Sequence, residues 1–365
     1  MKIPLNDLSR ETAEVLPSLE AATSRVFKRG WFLMGKELTD FEQAFTDYLG
    51  VDHCIAVANG TDSLELALHC IGIEAKDRVI VAPNAAMYGT IAVSRVNAEP
   101  IFADVDTDSL CMSADSLDRV AATTHAKAVI VTHLYGQMAD MKSILAVASR
   151  HSLLVIEDCA QAHGAHKDRR FAGTFGDIGC FSFYPTKNLG ALGDAGAIVT
   201  NNPTFAETAR ALRQYGWKSR KYQVELPHGR NSRMDELQAA FLLAKLPNLD
   251  YRNARRKKIW QYYCDSIGDR LRFVGNASED FVAHLCVVRS ACRDTLRQRL
   301  IDCGVDTDIH YPIPDHHQPV WGGQFTSVSL PAAEQACREI LTLPCFPEMT
   351  DNEISYVVET VRQSL

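Results

Sequence analysis

Between about residues 50 and 200, short runs of β-branched and apolar side chains alternate with longer stretches whose apolar positions recur every three or four residues. A short apolar run closed by small or polar residues fits a strand, and a spacing of three and four fits a helix with one inward face. The pattern predicts strands over residues 54–58, 78–82, 100–105, 128–133, 153–157, 179–183 and 197–200. Leu38, Phe41, Phe45 and Leu49 mark one packing helix, and further helices are expected over 64–71, 201–215 and 234–246, the last stopped by Pro247. Such alternation predicts an α/β fold with a mostly parallel central sheet, whose ligand site lies beyond the carboxyl ends of the strands.

After Pro247 one strand is expected over 281–289 and a helix over 292–303 that stops before Gly304. A last helix is announced by Thr350 with Glu353 three residues on, the spacing of a capping box. The expected organisation is a large domain over 1–246 and a smaller α+β domain over 247–365, with the N-terminal segment packing on the smaller one. A chain of 365 residues with 46% hydrophobic content can build both cores.

The net charge of −7 speaks against a general affinity for nucleic acid or an acidic membrane surface, so any phosphate must be caught locally. No run of about 18 apolar residues predicts a membrane span, and residues 1–10 do not read as a leader. The eleven cysteines sit mostly singly in apolar runs and form no CxxC pair. They read as reduced core thiols of a cytoplasmic protein, not as a disulfide framework or a structural zinc site.

The run Phe-Ser-Phe-Tyr-Pro-Thr-Lys-Asn-Leu-Gly brings a buried-type strand to its end at Lys187. Desolvation there lowers an amine's pKa and makes the neutral form, which condenses with aldehydes, accessible. Upstream, an apolar run ends in Glu157-Asp158-Cys159-Ala160-Gln161-Ala162-His163-Gly164. An acid at the end of a buried strand needs a cationic partner, and a protonated pyridine nitrogen is one. Asn59-Gly60-Thr61-Asp62-Ser63 puts a glycine and hydroxyls at a helix start, where N–H groups face an anion, and Ser182 can add a hydroxyl. Tyr88 can cover the face of a ring, and residues 229–235, including Asn231, form a donor-rich polar loop. Taken singly, each has an ordinary explanation: a loop lysine, a helix cap, a core aromatic, a linker.

In their order and spacing these runs resemble the DegT/DnrJ/StrS family of sugar aminotransferases. The resemblance covers nearly the whole chain, from Ile3-Pro4-Leu5-Asn6-Asp7 and Gly30-Trp31-Phe32-Leu33-Met34-Gly35 to Leu343-Pro344-Cys345-Phe346-Pro347 and the last helix. It implies fold type I of the pyridoxal-phosphate-dependent transferases, with pyridoxal 5'-phosphate held by Lys187 as a Schiff base. It further implies that Asp158 pairs with the pyridine nitrogen and Gln161 with the phenolic oxygen, while Gly60, Thr61 and Ser182 hold the phosphate and Asp62 is among the cofactor-binding residues. Many relatives carry the stacking aromatic where this chain has Met87; here the role falls to Tyr88, in an Asn-x-x-x-Tyr arrangement that resembles the branch aminating C3 of deoxysugars. Asn231 resembles the residue that reaches the phosphate of a neighbouring subunit, which implies a homodimer with shared active sites. His310, Tyr311 and His316 are the expected substrate contacts. The histidines also invite a metal reading, but no acidic set at ligand spacing stands nearby and no metal is expected.

The implied reaction moves an amino group from an amino acid, in the family most often glutamate, to a nucleotide-linked keto-sugar. A dTDP-linked 3-keto-6-deoxyhexose is preferred, and a 4-keto-sugar or keto-cyclitol stays open. Relatives that dehydrate sugars carry histidine at the lysine position, so Lys187 points to amination. The rival of another class is a non-catalytic cofactor-binding regulator, which the combined presence of Lys187, Asp158 and Asn231 disfavours.

Overall fold

The computed structural model describes residues 1–365. Helices α1 (Leu8–Arg29) and α2 (Lys36–Leu49) lead into an alternation of β1 (His53–Val57), α3 (Gly60–Cys70), β2 (Arg78–Val81), α4 (Tyr88–Arg95) and β3 (Glu99–Phe102). It continues through α5 (Ala114–Thr124), β4 (Ala128–Thr132), α6 (Met141–His151) and β5 (Leu154–Asp158). A small hairpin of β6 (His166–Lys167) and β7 (Arg170–Phe171) precedes β8 (Ile178–Ser182), β9 (Gly196–Thr200), α7 (Pro203–Leu212) and α8 (Glu236–Lys245).

Seven of these strands form one sheet in the order β1-β9-β8-β5-β4-β2-β3. β9 runs antiparallel to both neighbours and every other pair is parallel. β4 and β9 are buried along their whole length, as a sheet covered by helices on both faces requires. The carboxyl ends of β1, β2, β5 and β8 therefore open on the same edge, where Gly60 and Tyr88 follow the first two and Asp158 and Ser182 end the other two.

The rest of the chain supplies α9 (Leu249–Ile267), β10 (Arg272–Phe273), β11 (Cys286–Arg289), α10 (Arg293–Asp302), α11 (Pro331–Glu339), β12 (Ile340–Leu343) and α12 (Asp351–Ser364). β10, β11 and β12 form a separate antiparallel sheet. Its core gathers Tyr263, Leu300, Phe346 and Val357, and Ile3 is inserted among them with a bridge to Val305. The N-terminal segment thus packs on this part of the molecule. The capping box at Thr350 and Glu353 is formed, and Glu353 also receives both terminal nitrogens of Arg10, at 2.7 and 2.8 Å. That pairing ties α1 to α12 and holds the Glu353 carboxyl down at about 2.

Two expected strands are shorter than their apolar patterns. The run 100–105 leaves the sheet after Phe102, and Asp104 instead accepts the N–H groups of Ala332 and Ala333 at the start of α11. Only the end of 281–289 is a strand. Val282 and Leu285 donate to the carbonyls of Gly136 and Tyr135, so this stretch is apolar because it is buried against the large sheet's loops. No helix is long and apolar enough to cross a membrane.

Candidate active site

β8 carries Phe181 inward and Phe183 follows it, both packed edge-on against Phe45 of α2. With the aromatics holding the strand end, Lys187 comes to the wall between two adjoining cavities of about 280 and 250 Å³, which also share Tyr88 and Tyr184. Removal from water pushes the lysine's pKa down to about 8, against the pull of the Asp158 carboxylate.

Asp158, the last residue of β5 and 4% exposed, lines the first cavity. One carboxylate oxygen accepts from the Ala160 N–H at 3.1 Å and the other from the Thr132 hydroxyl at 3.3 Å. A carboxylate has about four acceptor sites. Burial pushes its pKa up, and Ala160, Lys187, His133 and Thr132 only partly offset this. It is a buried acid short of a cation.

Glu157, pointing to the opposite face as strand alternation dictates, makes the contrast. It accepts from the N–H groups of Gly173, Phe175 and Gly176 at 3.0, 2.6 and 2.6 Å, and from His133 Nε2 at 2.8 Å. Because His133 Nδ1 accepts from Ala139 N–H, Nε2 is the ring's donor. Glu157, His133 and Cys159 lie close together, but the acid and both ring nitrogens are already committed. Glu157→Gln would set an amide donor against these N–H groups. It is expected to cost about 3 kcal/mol of stability in urea unfolding, and an unchanged midpoint would refute the anchoring role.

At the other end of the first cavity, α3 begins at Gly60. The Asn59 side chain caps Asp62 N–H at 2.8 Å, while Gly60 and Thr61, in the first turn, have no helical acceptor for their own N–H groups. A Cβ on Gly60 would lie 2.6 Å from that of Ser182, so only glycine allows α3 and β8 to meet here. Gly60, Thr61 and Ser182 line the cavity together. Asp62 does not: its carboxylate turns away, 3.7 Å from the Arg230 guanidinium.

Tyr88, 47% exposed, is the first residue of α4 and borders both cavities, whereas Met87 borders neither. Ala86 and Met87 adopt left-handed backbone, with φ of 55° and 65°, and so aim Tyr88 at the opening. Asp315 clamps that turn, accepting from Met87 N–H at 3.0 Å and the Thr90 hydroxyl at 2.6 Å. Its own burial pushes its carboxyl up to about 6.

His310 and Tyr311 line the second cavity. Gln161 stands behind Tyr311: its Nε2 donates to the Tyr311 oxygen at 3.1 Å, and its Oε1 accepts from Tyr135 N–H at 2.6 Å. Gln161, expected to meet the phenolic oxygen, itself borders neither cavity and its amide is taken by these partners; like Asp62, His316 and Asn231 are not brought here either. His316 is 3% exposed, packed on Phe102, with Nε2 3.3 Å from Glu334 Oε1, and so lies outside both cavities. A carboxylate thus does approach this histidine, contrary to the spacing in sequence, although the same oxygen accepts from Leu330 N–H. Asn231 is exposed, accepts from Arg233 Nε at 2.9 Å, and borders neither cavity of its own chain.

The second cavity also contains residues that local patterns did not mark: Tyr184, His284 and Arg256. His284 hid in the apolar run 281–289, and Arg256 in the basic stretch Arg255-Arg256-Lys257-Lys258, which reads as a solvated helix face. Asn188 donates through Nδ2 to Asn253 and Val282, so its Oδ1 accepts from His284 Nδ1 at 3.0 Å.

A model of the DegT/DnrJ/EryC1/StrS aminotransferase family matches residues 17–362. The dTDP-3-amino-3,6-dideoxy-alpha-D-galactopyranose transaminase of Aneurinibacillus thermoaerophilus is 40% identical, over 99% of each chain. The dTDP-3-amino-3,4,6-trideoxy-alpha-D-glucose transaminase of Micromonospora megalomicea is 38% identical, over 98% of this chain and 96% of that one. Among solved structures, S. venezuelae DesV in complex with a ketimine intermediate superposes with a TM-score of 0.94 at 38% identity, covering 99% of this chain and 98% of that one.

Proposed function

The chain belongs to the DegT/DnrJ/EryC1/StrS aminotransferase family, with the α/β architecture of fold type I pyridoxal-phosphate enzymes, and from that premise we propose its substrates and site roles. It transfers an amino group from L-glutamate to a nucleotide-linked keto-sugar, with a dTDP-3-keto-6-deoxyhexose preferred. The carrying observation is the placing of Lys187 between two cavities, one floored by Asp158 and closed by the start of α3, the other open to a second molecule.

The first cavity fits pyridoxal 5'-phosphate: a buried acid short of a cation, free N–H groups with a hydroxyl at a helix start, and an amine between them. When bound, that cofactor supplies an amine-capturing aldehyde and an electron-withdrawing pyridinium. Lys187 holds it and moves the proton at the donor's α-carbon, poised for this near neutral pH by its lowered pKa. Asp158 keeps the ring nitrogen protonated, Gly60, Thr61 and Ser182 receive the phosphate, and Tyr88 covers the ring. Gln161 steadies Tyr311, which with His310 meets the substrate.

The same reading makes the protein a cytoplasmic homodimer, with Asn231 completing the neighbour's phosphate site. The free cysteines suit a reducing compartment. Exposed Trp31, Phe32 and Tyr215, on loops that bridge to the segment around Asn231, are the kind of surface a second copy buries. The division near residue 246 into a cofactor-holding part and a smaller covering part rests on the two separate sheets.

The direct test is incubation with L-glutamate and a panel of nucleotide-linked 3-keto- and 4-keto-sugars and keto-cyclitols, with products identified by mass spectrometry. Amination of the dTDP-3-keto-6-deoxyhexose above the others is expected. Turnover confined to cyclitols would overturn the substrate assignment, and a colourless protein that cannot take up the cofactor would overturn the whole reading.

A further inference from the structure

Asp315, which clamps the turn before Tyr88, opens a single 3-10 turn that continues into His316 and His317. One ring nitrogen of each histidine and a carboxylate oxygen of Glu334, in the first turn of α11, all lie within 4.8 Å of one another. The two rings stand 4.0 Å apart, inclined by 47°. The His316 side chain is fully buried, that of Glu334 is 21% exposed, and His317 is exposed, so the cluster runs from the interior to the surface. An ion can enter it from solvent.

As hydrogen-bonding groups these side chains are poorly used. His316 Nε2 is 3.3 Å from Glu334 Oε1, and its Nδ1 is buried with no partner. A histidine and a carboxylate joined by a charge-assisted hydrogen bond close to about 2.7–2.9 Å. His133 does so with Glu157, at 2.8 Å, and its other ring nitrogen is satisfied as well. Two donors on one tetrahedral zinc, each ~2.05 Å from the ion, stand roughly 3.3 Å apart. The His316–Glu334 spacing matches that edge better than it matches a hydrogen bond. Glu334 Oε1 also accepts from Leu330 N–H at 2.9 Å, which fixes the carboxylate at the start of α11 and leaves Oε2 without a protein donor.

We propose that His316, His317 and Glu334 bind one divalent ion of the zinc class. Two imidazoles with a carboxylate suit such an ion, whereas magnesium and calcium take sets of oxygen ligands. Three protein ligands leave one position for water. The ion staples α11 to the turn that begins at Asp315, and so braces the segment that carries Tyr88. The site lies outside both cavities, and it stands or falls independently of the aminotransferase reading.

The test uses the full-length chain, cofactor-loaded, without an affinity tag and stripped of metal by a chelator. Zinc and magnesium are titrated calorimetrically into the wild type, His317→Ala and Glu334→Gln. One zinc per chain is expected in the wild type, with no magnesium uptake, and zinc binding about 100-fold weaker in either variant. His317 is exposed, so His317→Ala decides if Glu334→Gln fails to fold. Zinc should also raise the melting temperature of the wild type and not that of His317→Ala. Cobalt in place of zinc should give the visible bands of a nitrogen and oxygen set. A thiolate charge-transfer band would instead place the ion on the exposed Cys292 or Cys303 and overturn the proposal. Absence of zinc uptake by the wild type, zinc binding unchanged in His317→Ala, or equal uptake of magnesium overturns it too.

Discussion

Replacing Lys187 with alanine is expected to lower amino transfer by about four orders of magnitude, because on the proposed reading the variant loses the amine that holds the cofactor and moves the proton. The fold should not suffer. The lysine's pKa falls from its usual 10.5 to about 8 on folding, so between those values the unfolded chain keeps a proton that the folded chain has released. Stability contributed by this residue therefore rises with pH across that window, and below about 8 the buried ammonium is a full cost. Lys187→Ala removes the cost, so the apoprotein at pH 7 should be at least as stable as the parent and should lose part of its rise in stability above pH 8. Urea unfolding at several pH values measures both. The same variant tests site sharing. Mixed with Asn231→Ala chains, it should regain part of the activity in heterodimers that assemble one intact site, and no regain would count against a residue donated across the interface.

Asp158→Asn is expected to be the second most damaging change, slowing transamination by roughly 100- to 1000-fold and weakening cofactor retention, since the ring nitrogen loses its counter-ion. Here too stability should move the other way. A carboxyl whose pKa is raised on folding holds its proton more tightly in the folded state, so the folded state is penalised once the pH is above that pKa. The amide relieves the penalty. The neighbouring Glu157 sets the standard for a structural acid: the glutamine variant at 157 should unfold more easily, the asparagine variant at 158 should not. If both unfold equally early, Asp158 is an anchor like its neighbour and its assignment to the cofactor fails.

The two residues were legible before any coordinates because each stands where a local pattern breaks. β5 runs apolar and ends in an acid, and the run through β8 ends in a lysine, both at the edge where a parallel sheet opens. The turn into α3 was legible for the same reason, since its cap, glycine and hydroxyls are neighbours in the chain. Asp62 belongs to the same run, but its side chain faces Arg230. The histidines near residue 316 were grouped by sequence proximity, and packing divided them, sending His310 to the cavity and His316 against Phe102 and Glu334. The clamp of Asp315 on the turn before Tyr88 joins segments more than two hundred residues apart and had no local signal.

By itself the chain's order of residues determined the α/β class, the positions of most strands and helices, and the lysine, acid and glycine that end them. These follow from short-range rules, the two-residue alternation of strands and the turn of a helix, which act between neighbours. Tertiary structure alone decided that Arg256, in what reads as a solvated basic stretch, is buried on the cavity that Lys187 also lines, and that His316, equally buried, lies outside it. Burial and the pairing of charges depend on which distant segments pack together, and that is set by the closure of the whole core and not by any window of the sequence.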